Sequence, residues 1–175
     1  MRESPVVRLV LCAMFIALGF LLPFLTGQIP TIGSMLSPMH IPALLCGFIC
    51  GWPWGLAAGF VMPLLRSLIL GMPPLMPVAL AMAFEMAVYG AAAGLLYKLL
   101  GRSSAGTYAA LVLSMLLGRL MWGLAMAVLV GSGFGWQAFA AGAFLKAWPG
   151  ILLHILIIPP ILFALKRARL IPLAD

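Results

Sequence analysis

The chain carries little charge, and almost none of it is negative. Of 175 residues, three are Asp or Glu and ten are Lys or Arg, so 7% are charged while 65% are apolar. Soluble domains run at roughly 25% charged residues. With a mean hydropathy of +1.22, a soluble globular domain is excluded. Disorder is excluded for the same reason, since it needs low hydrophobicity and high charge. Cysteine is scarce as well: Cys12, Cys46 and Cys50 lie within apolar runs and supply no disulfide framework. The two histidines, His40 and His154, are distant in sequence and have no accompanying carboxylate cluster. They read as hydrogen-bonded structural residues and not as a metal site. No phosphate-binding loop of the form G-x-x-x-x-G-K-[ST] occurs, so the chain has no means of hydrolysing ATP.

What is present is a series of apolar runs bounded by Gly, Pro and charge, at about 8–25, 41–51, 54–70, 77–97, 106–130 and 138–165. Each crossing needs roughly 20 residues, which makes residues 1–175 a single all-α integral membrane domain. The N-terminal run lacks a small-x-small cleavage site and reads as a retained span. Residues 41–70 are ambiguous between one long span and two short ones broken at Gly51-Trp52-Pro53-Trp54, and charge decides. With six spans and both termini cytoplasmic, Arg2, Arg8, Lys98, Arg102, Lys166, Arg167 and Arg169 fall inside, while the loops at about 26–39, 71–76 and 131–137 carry no charge. Five spans would put the two basic ends on opposite faces. A six-helix bundle is therefore predicted, its second span too short to cross alone. The first outer loop, Thr26 to Met39, is either a lid over a site or a plain connection.

Four charged residues fall inside the spans: Arg66, Glu85, Arg119 and Lys146. Each costs about 2.5–3.5 kcal/mol at mid-membrane unless paired or hydrated, which marks intramembrane ionisable residues as site candidates. At ~1.5 Å per residue, Glu85 lies roughly 12 Å from the outer end of its span, Arg119 roughly 16 Å and Lys146 roughly 12 Å, with Arg66 near the outer end of span three. All four are expected to meet in the outer half of the bundle. Three cations against one carboxylate leave positive charge for a small organic anion, which an Arg fork can grip. The structural alternative is an internal Glu85–Arg119 pair, with Arg66 and Lys146 reaching to the interface. Trp122 and Trp148 are candidates to wall the pocket; an interfacial aromatic belt is the competing reading.

Ala13 and Ala17 stand one turn apart on span one, and Gly47, Gly51, Gly55 and Gly59 recur every four residues, as small residues do where helices approach closely in lipid. With its six spans and the Ala13-x-x-x-Ala17 motif, the chain resembles the substrate-binding S component of an energy-coupling factor (ECF) vitamin transporter. Ser37-Pro38-Met39-His40-Ile41-Pro42, Gly47-Phe48-Ile49-Cys50-Gly51, Gly71-Met72-Pro73-Pro74-Leu75 and Ala83-Phe84-Glu85-Met86-Ala87-Val88-Tyr89-Gly90 carry the rest of the likeness. The resemblance implies that Ala13 and Ala17 dock on a transmembrane coupling subunit and that two separate ATPase subunits supply the energy. It further implies that Glu85, Arg119 and Lys146 belong to an outward-facing vitamin pocket in a prokaryotic plasma membrane, with Arg66 outside the usual pocket spans. The net positive pocket favours an anionic vitamin, and pantothenate suits a single Arg or Lys anchor. No cofactor is implied. A stand-alone small-solute transporter is the competing class, although no inverted repeat is evident. An intramembrane hydrolase using Gly131-Ser132-Gly133 and His154 lacks the strand-to-helix turn such a nucleophile needs.

Overall fold

The computed structural model describes residues 4–26, 35–101 and 103–168, and the regular structure in them is helical. The first outer loop from Gly27 to Ser34, and the cations Arg2, Arg102 and Arg169, lie outside the described residues. Helix α1 runs Pro5–Leu21 and continues as a 3-10 turn, Leu22–Thr26. It is followed by α2 His40–Cys50, α3 Trp52–Leu70, α4 Leu80–Leu99, α5 Ser104–Val130 and α6 Trp148–Ala168. A wide turn, Leu75–Ala79, leads into α4, and a short helix Trp136–Ala140 with a second wide turn, Ala141–Leu145, leads into α6.

The boundaries follow from local chemistry. Ser4 is extended and its hydroxyl accepts from the Val7 N–H, with Pro5 in the first turn of α1 where a missing N–H is harmless. The Ser103 hydroxyl caps α5 by accepting from Gly106 N–H at 3.0 Å. Between α2 and α3, Gly51 sits at φ 93°, a region that strains any residue with a Cβ, and Pro53 again occupies a first turn. The break at Gly51-Trp52-Pro53 thus separates two helices.

Helix α2 has 11 residues, all of them buried, and so spans about 16 Å, roughly half the hydrocarbon thickness. Irregular backbone at membrane depth survives only where protein shields it. Helices α1, α3 and α4 supply that shield. The other five helical segments are each long and apolar enough to cross a membrane. On α5, Leu116, Leu120, Leu124 and Val128 are exposed at four-residue spacing and form an apolar outer stripe.

The four-residue glycine repeat brings α2 and α3 against α4. A Cβ on Gly55 would stand 2.6 Å from the Gly90 carbonyl oxygen, and one on Gly90 would run into the Gly55 backbone. Near the same end, a Cβ on Gly94 would lie 2.5 Å from Trp52 N. In lipid, where apolar side chains gain little by leaving the solvent, such backbone proximity supplies the dispersion that holds helices together.

The helices alternate in direction. Cys12 midway along α1 reaches the Trp54 carbonyl at the start of α3 while Phe20 near the end of α1 meets Arg66 late in α3, Gly94 near the end of α4 packs by Trp52 at the start of α3, and Tyr108 early in α5 faces Phe163 late in α6. The described ends, Ser4 and Ala168, therefore share one end of the bundle, with Arg8, Lys98, Lys166 and Arg167. The opposite end carries the residue 71–76 and 131–137 loops.

Candidate functional site

In the half of the bundle away from those ends, three helices converge on one carboxylate. Glu85, in the second turn of α4, is 1% exposed. Its Oε1 lies 3.0 Å from Nη1 of Arg119 on α5, and its Oε2 lies 3.6 Å from Nε2 of His40, the first residue of α2. The Tyr89 hydroxyl, one turn along the same face of α4, donates to the carboxylate. The Arg119 contact is close in distance but poorly directed: Glu85 Oε1 and Arg119 Nε are both buried without a hydrogen-bond partner. Arg119 itself is 8% exposed.

Behind this pair the segment that leads into α2 is bolted to the helices. Ser37 has φ 46°, unusual for a residue with a Cβ. Its carbonyl oxygen accepts from His40 Nδ1 at 3.2 Å and from His154 Nε2 at 3.3 Å. A carbonyl can only accept, so these two ring nitrogens carry the protons. His40 then turns its other nitrogen to Glu85, and its ring meets Tyr89 edge-on with centroids 5.3 Å apart. Gly150 of α6 lets the loop backbone close in, for a Cβ there would lie 2.6 Å from the Met35 carbonyl oxygen.

On its other side Arg119 lines a cleft between α5 and α6, walled by Met115 and Leu116 of α5, Phe144 of the turn, and Ile151 and Ile155 of α6. Arg119 is the polar residue of that lining. Trp122, one turn beyond it, packs edge-to-face on Phe134 at 5.7 Å, with the Cη2 edge of its ring against Gly142.

The profile of the family described as "ECF transporter, substrate-specific component" matches residues 7–162. The chain belongs to this family. It is thus a substrate-specific, non-catalytic subunit of an ECF transporter and a multi-pass membrane protein, and membership implies association with the transmembrane and ATPase subunits of an ECF module and with a small-molecule substrate. No curated protein and no solved structure matches it.

Of the cations that the depth estimate put together in this S component, the structure brings Arg119 to Glu85. Arg66 is elsewhere. Its Nη1 donates to the Phe20 carbonyl oxygen at 2.8 Å, and its guanidinium lies 5.9 and 5.4 Å from the Phe20 and Phe24 ring centroids. The expectation that all four charges meet is corrected there: the end of α1, where carbonyls run out of helical partners, attracts the cation that helix depth alone left unassigned. Lys146 and Trp148 are exposed, close in sequence to Phe144 at the rim of the cleft. Ala13 and Ala17 are exposed on one face of α1. His40 and His154, distant in sequence, lie together in the fold: their rings are 6.2 Å apart and both hydrogen-bond the Ser37 carbonyl, in keeping with the structural hydrogen-bonded role expected of each. No group of three or more His, Cys, Asp or Glu that could hold a metal occurs among the described residues. Tyr89 was readable in principle from its four-residue offset from Glu85. His40 and His154 were not, because 45 and 69 residues separate them from the carboxylate.

Proposed function

We propose that this subunit captures a small anionic vitamin, a monocarboxylate such as pantothenate, from the outer side of a prokaryotic plasma membrane and passes it to an ATP-driven coupling module. The observation that carries the reading is Arg119: a buried guanidinium that gives one edge to Glu85 and keeps its Nε without a partner on the outer half of the bundle. Arginine stays ionised in any protein environment and presents its donors in a planar fork matched to a carboxylate. Glu85, with His40 and Tyr89 behind it, holds that fork in place. Trp122 supplies an aromatic wall, Lys146 and Trp148 the rim, and Arg66 a fixed end for α1.

Clustering of Arg8, Lys98, Lys166 and Arg167 at the end shared by Ser4 and Ala168 supports a cytoplasmic position for that end. The exposed alanines at 13 and 17 offer a flat face on which a coupling subunit can close tightly. Co-purification with a coupling subunit and two ATPases, followed by ATP-dependent uptake in proteoliposomes, tests the reading. Assembly and energised uptake are the expected results. Uptake that persists without the ATPases would favour a stand-alone transporter instead.

A further inference from the structure

At Ser37 several donors meet on one carbonyl oxygen. It accepts from the His40 backbone N–H at 3.0 Å, from His40 Nδ1 at 3.2 Å and from His154 Nε2 at 3.3 Å. A hydrogen on His40 Nδ1 is therefore committed, because a bare nitrogen there would set lone pair against lone pair. The other ring nitrogen, Nε2, is buried without a hydrogen-bond partner and faces Glu85 Oε2 at 3.6 Å. A neutral imidazole has a single N–H. With that hydrogen on Nδ1, Nε2 would turn a lone pair to a carboxylate in a protein interior, where such contacts are costly. A hydrogen on each ring nitrogen makes both contacts favourable. Arg119 already faces the other carboxylate oxygen at 3.0 Å, which places the extra proton on the ring and not on the carboxyl. His154 differs: its Nδ1 is buried with no acceptor, and its ring centroid is 6.2 Å from that of His40, so it is the neutral member of the pair.

We propose that His40 is a proton-binding site: the observed geometry is that of its doubly protonated ring, and the second proton is what joins the segment Met35–Met39 to Glu85 through that ring. When the proton leaves, one hydrogen remains for two acceptors. The carboxylate is the stronger acceptor, and the Ser37 carbonyl keeps the His40 backbone N–H and His154 on its two lone pairs. The hydrogen therefore settles on Nε2. Nδ1 is then bare, 3.2 Å from a carbonyl oxygen. Ser37 stands at φ 46°, a conformation that persists only where neighbours enforce it, so the segment yields there while Glu85 stays on Arg119. The charged or titratable groups around His40 are Glu85 and Tyr89 of α4, Arg119 of α5 across that carboxylate, and His154 of α6. On α1 and α3, Cys12 contacts Cys46 and Arg66 holds the Phe20 carbonyl.

The test takes the full chain, carrying isotopically labelled histidine, in phosphatidylcholine nanodiscs. Nitrogen NMR from about pH 5 to 8, the range in which imidazoles change charge, reads which ring nitrogens hold hydrogen. Hydrogen–deuterium exchange, corrected for its intrinsic pH dependence, reads the backbone of residues 35–40. The expected result is hydrogen on both His40 nitrogens at the acid end and on Nε2 alone at the alkaline end, with His154 singly protonated throughout. Exchange in the segment should rise by roughly tenfold or more as the proton leaves, the worth of one charge-assisted hydrogen bond. His40→Gln keeps a donor and an acceptor but cannot titrate, so its exchange should not vary with pH. His154→Gln assigns the two sets of signals and should retain the pH response. The wild-type spectra decide the matter even where a variant fails to fold. A singly protonated His40 at the acid end, exchange indifferent to pH, or a pH response that survives His40→Gln or vanishes in folded His154→Gln would each overturn the proposal. None of these outcomes touches substrate or assembly, so the subunit reading stands or falls separately.

Discussion

Removing one member of the Glu85–Arg119 pair should be far more damaging than removing both. At 3.0 Å and an effective dielectric of about 20, the Coulomb attraction is about 5–6 kcal/mol. The side chains are 2% and 10% exposed, so the desolvation cost, several kcal/mol per ion, offsets most of that attraction. The net worth of the intact pair is therefore small, but a stranded partner is expensive. Glu85→Leu leaves a buried guanidinium that cannot shed its charge and should cost about 3–5 kcal/mol. Arg119→Met leaves a carboxyl that can take up a proton and donate to a neighbour, so its cost should be lower, about 2–3 kcal/mol. The double variant should lie within about 1–2 kcal/mol of wild type. Reversible unfolding in mixed detergent–SDS micelles, followed by far-ultraviolet circular dichroism, measures all four corners of the cycle. If the two single changes cost less than about 1 kcal/mol each, or simply add in the double variant, the pair is not the buried charge centre described above.

Three further outcomes are expected. Gly90→Ala should destabilise by about 1–3 kcal/mol or more, because its Cβ meets the Gly55 backbone and not a movable side chain, whereas Gly135→Ala, with open space around it, should be near neutral; equal effects in SDS unfolding would contradict the close α3–α4 contact. Arg66→Met should lose about 1.5–3 kcal/mol with the Phe20 hydrogen bond and change ligand affinity by less than about threefold, Arg66→Lys recovering part of the stability; a tenfold or greater loss of affinity in a folded variant would move Arg66 into the binding site. Leucine at Ala13 or Ala17, both exposed, should leave unfolding unchanged and abolish co-purification with the coupling subunit, and normal assembly of either variant would remove these residues from the interface.

Much of the architecture is legible without coordinates. Twenty-residue apolar runs can be little else than helices in a bilayer, and Gly51-Trp52-Pro53 announces its break because Pro interrupts a helix and Gly permits the turn. Glu85 is equally plain, being the one carboxylate away from the chain ends in a sequence with three acidic residues. Its partners are another matter. A helix that is apolar all round gives no periodic signal for which side faces a neighbour, so depth along the axis is readable and rotation about it is not. Depth put Arg66, Arg119 and Lys146 all in reach of Glu85, so the sequence offered both a meeting of all four charges and a Glu85–Arg119 pair without deciding between them, and it left the two histidines far apart.

Composition and hydropathy therefore determined, unaided, that this protein is a helical membrane bundle, where the chain breaks, and that few ionisable groups would sit in its interior, because the bilayer penalises charge and unpaired backbone whatever the packing. Tertiary structure decided the rest. It chose Arg119 for Glu85 and the end of α1 for Arg66, brought His40 and His154 to one carbonyl at Ser37, and set an unpartnered Nε beside an apolar cleft. Those choices depend on how helices rotate against one another, and here the glycine contacts of α2, α3 and α4 set that rotation through backbone fit, which no linear pattern of apolar residues records.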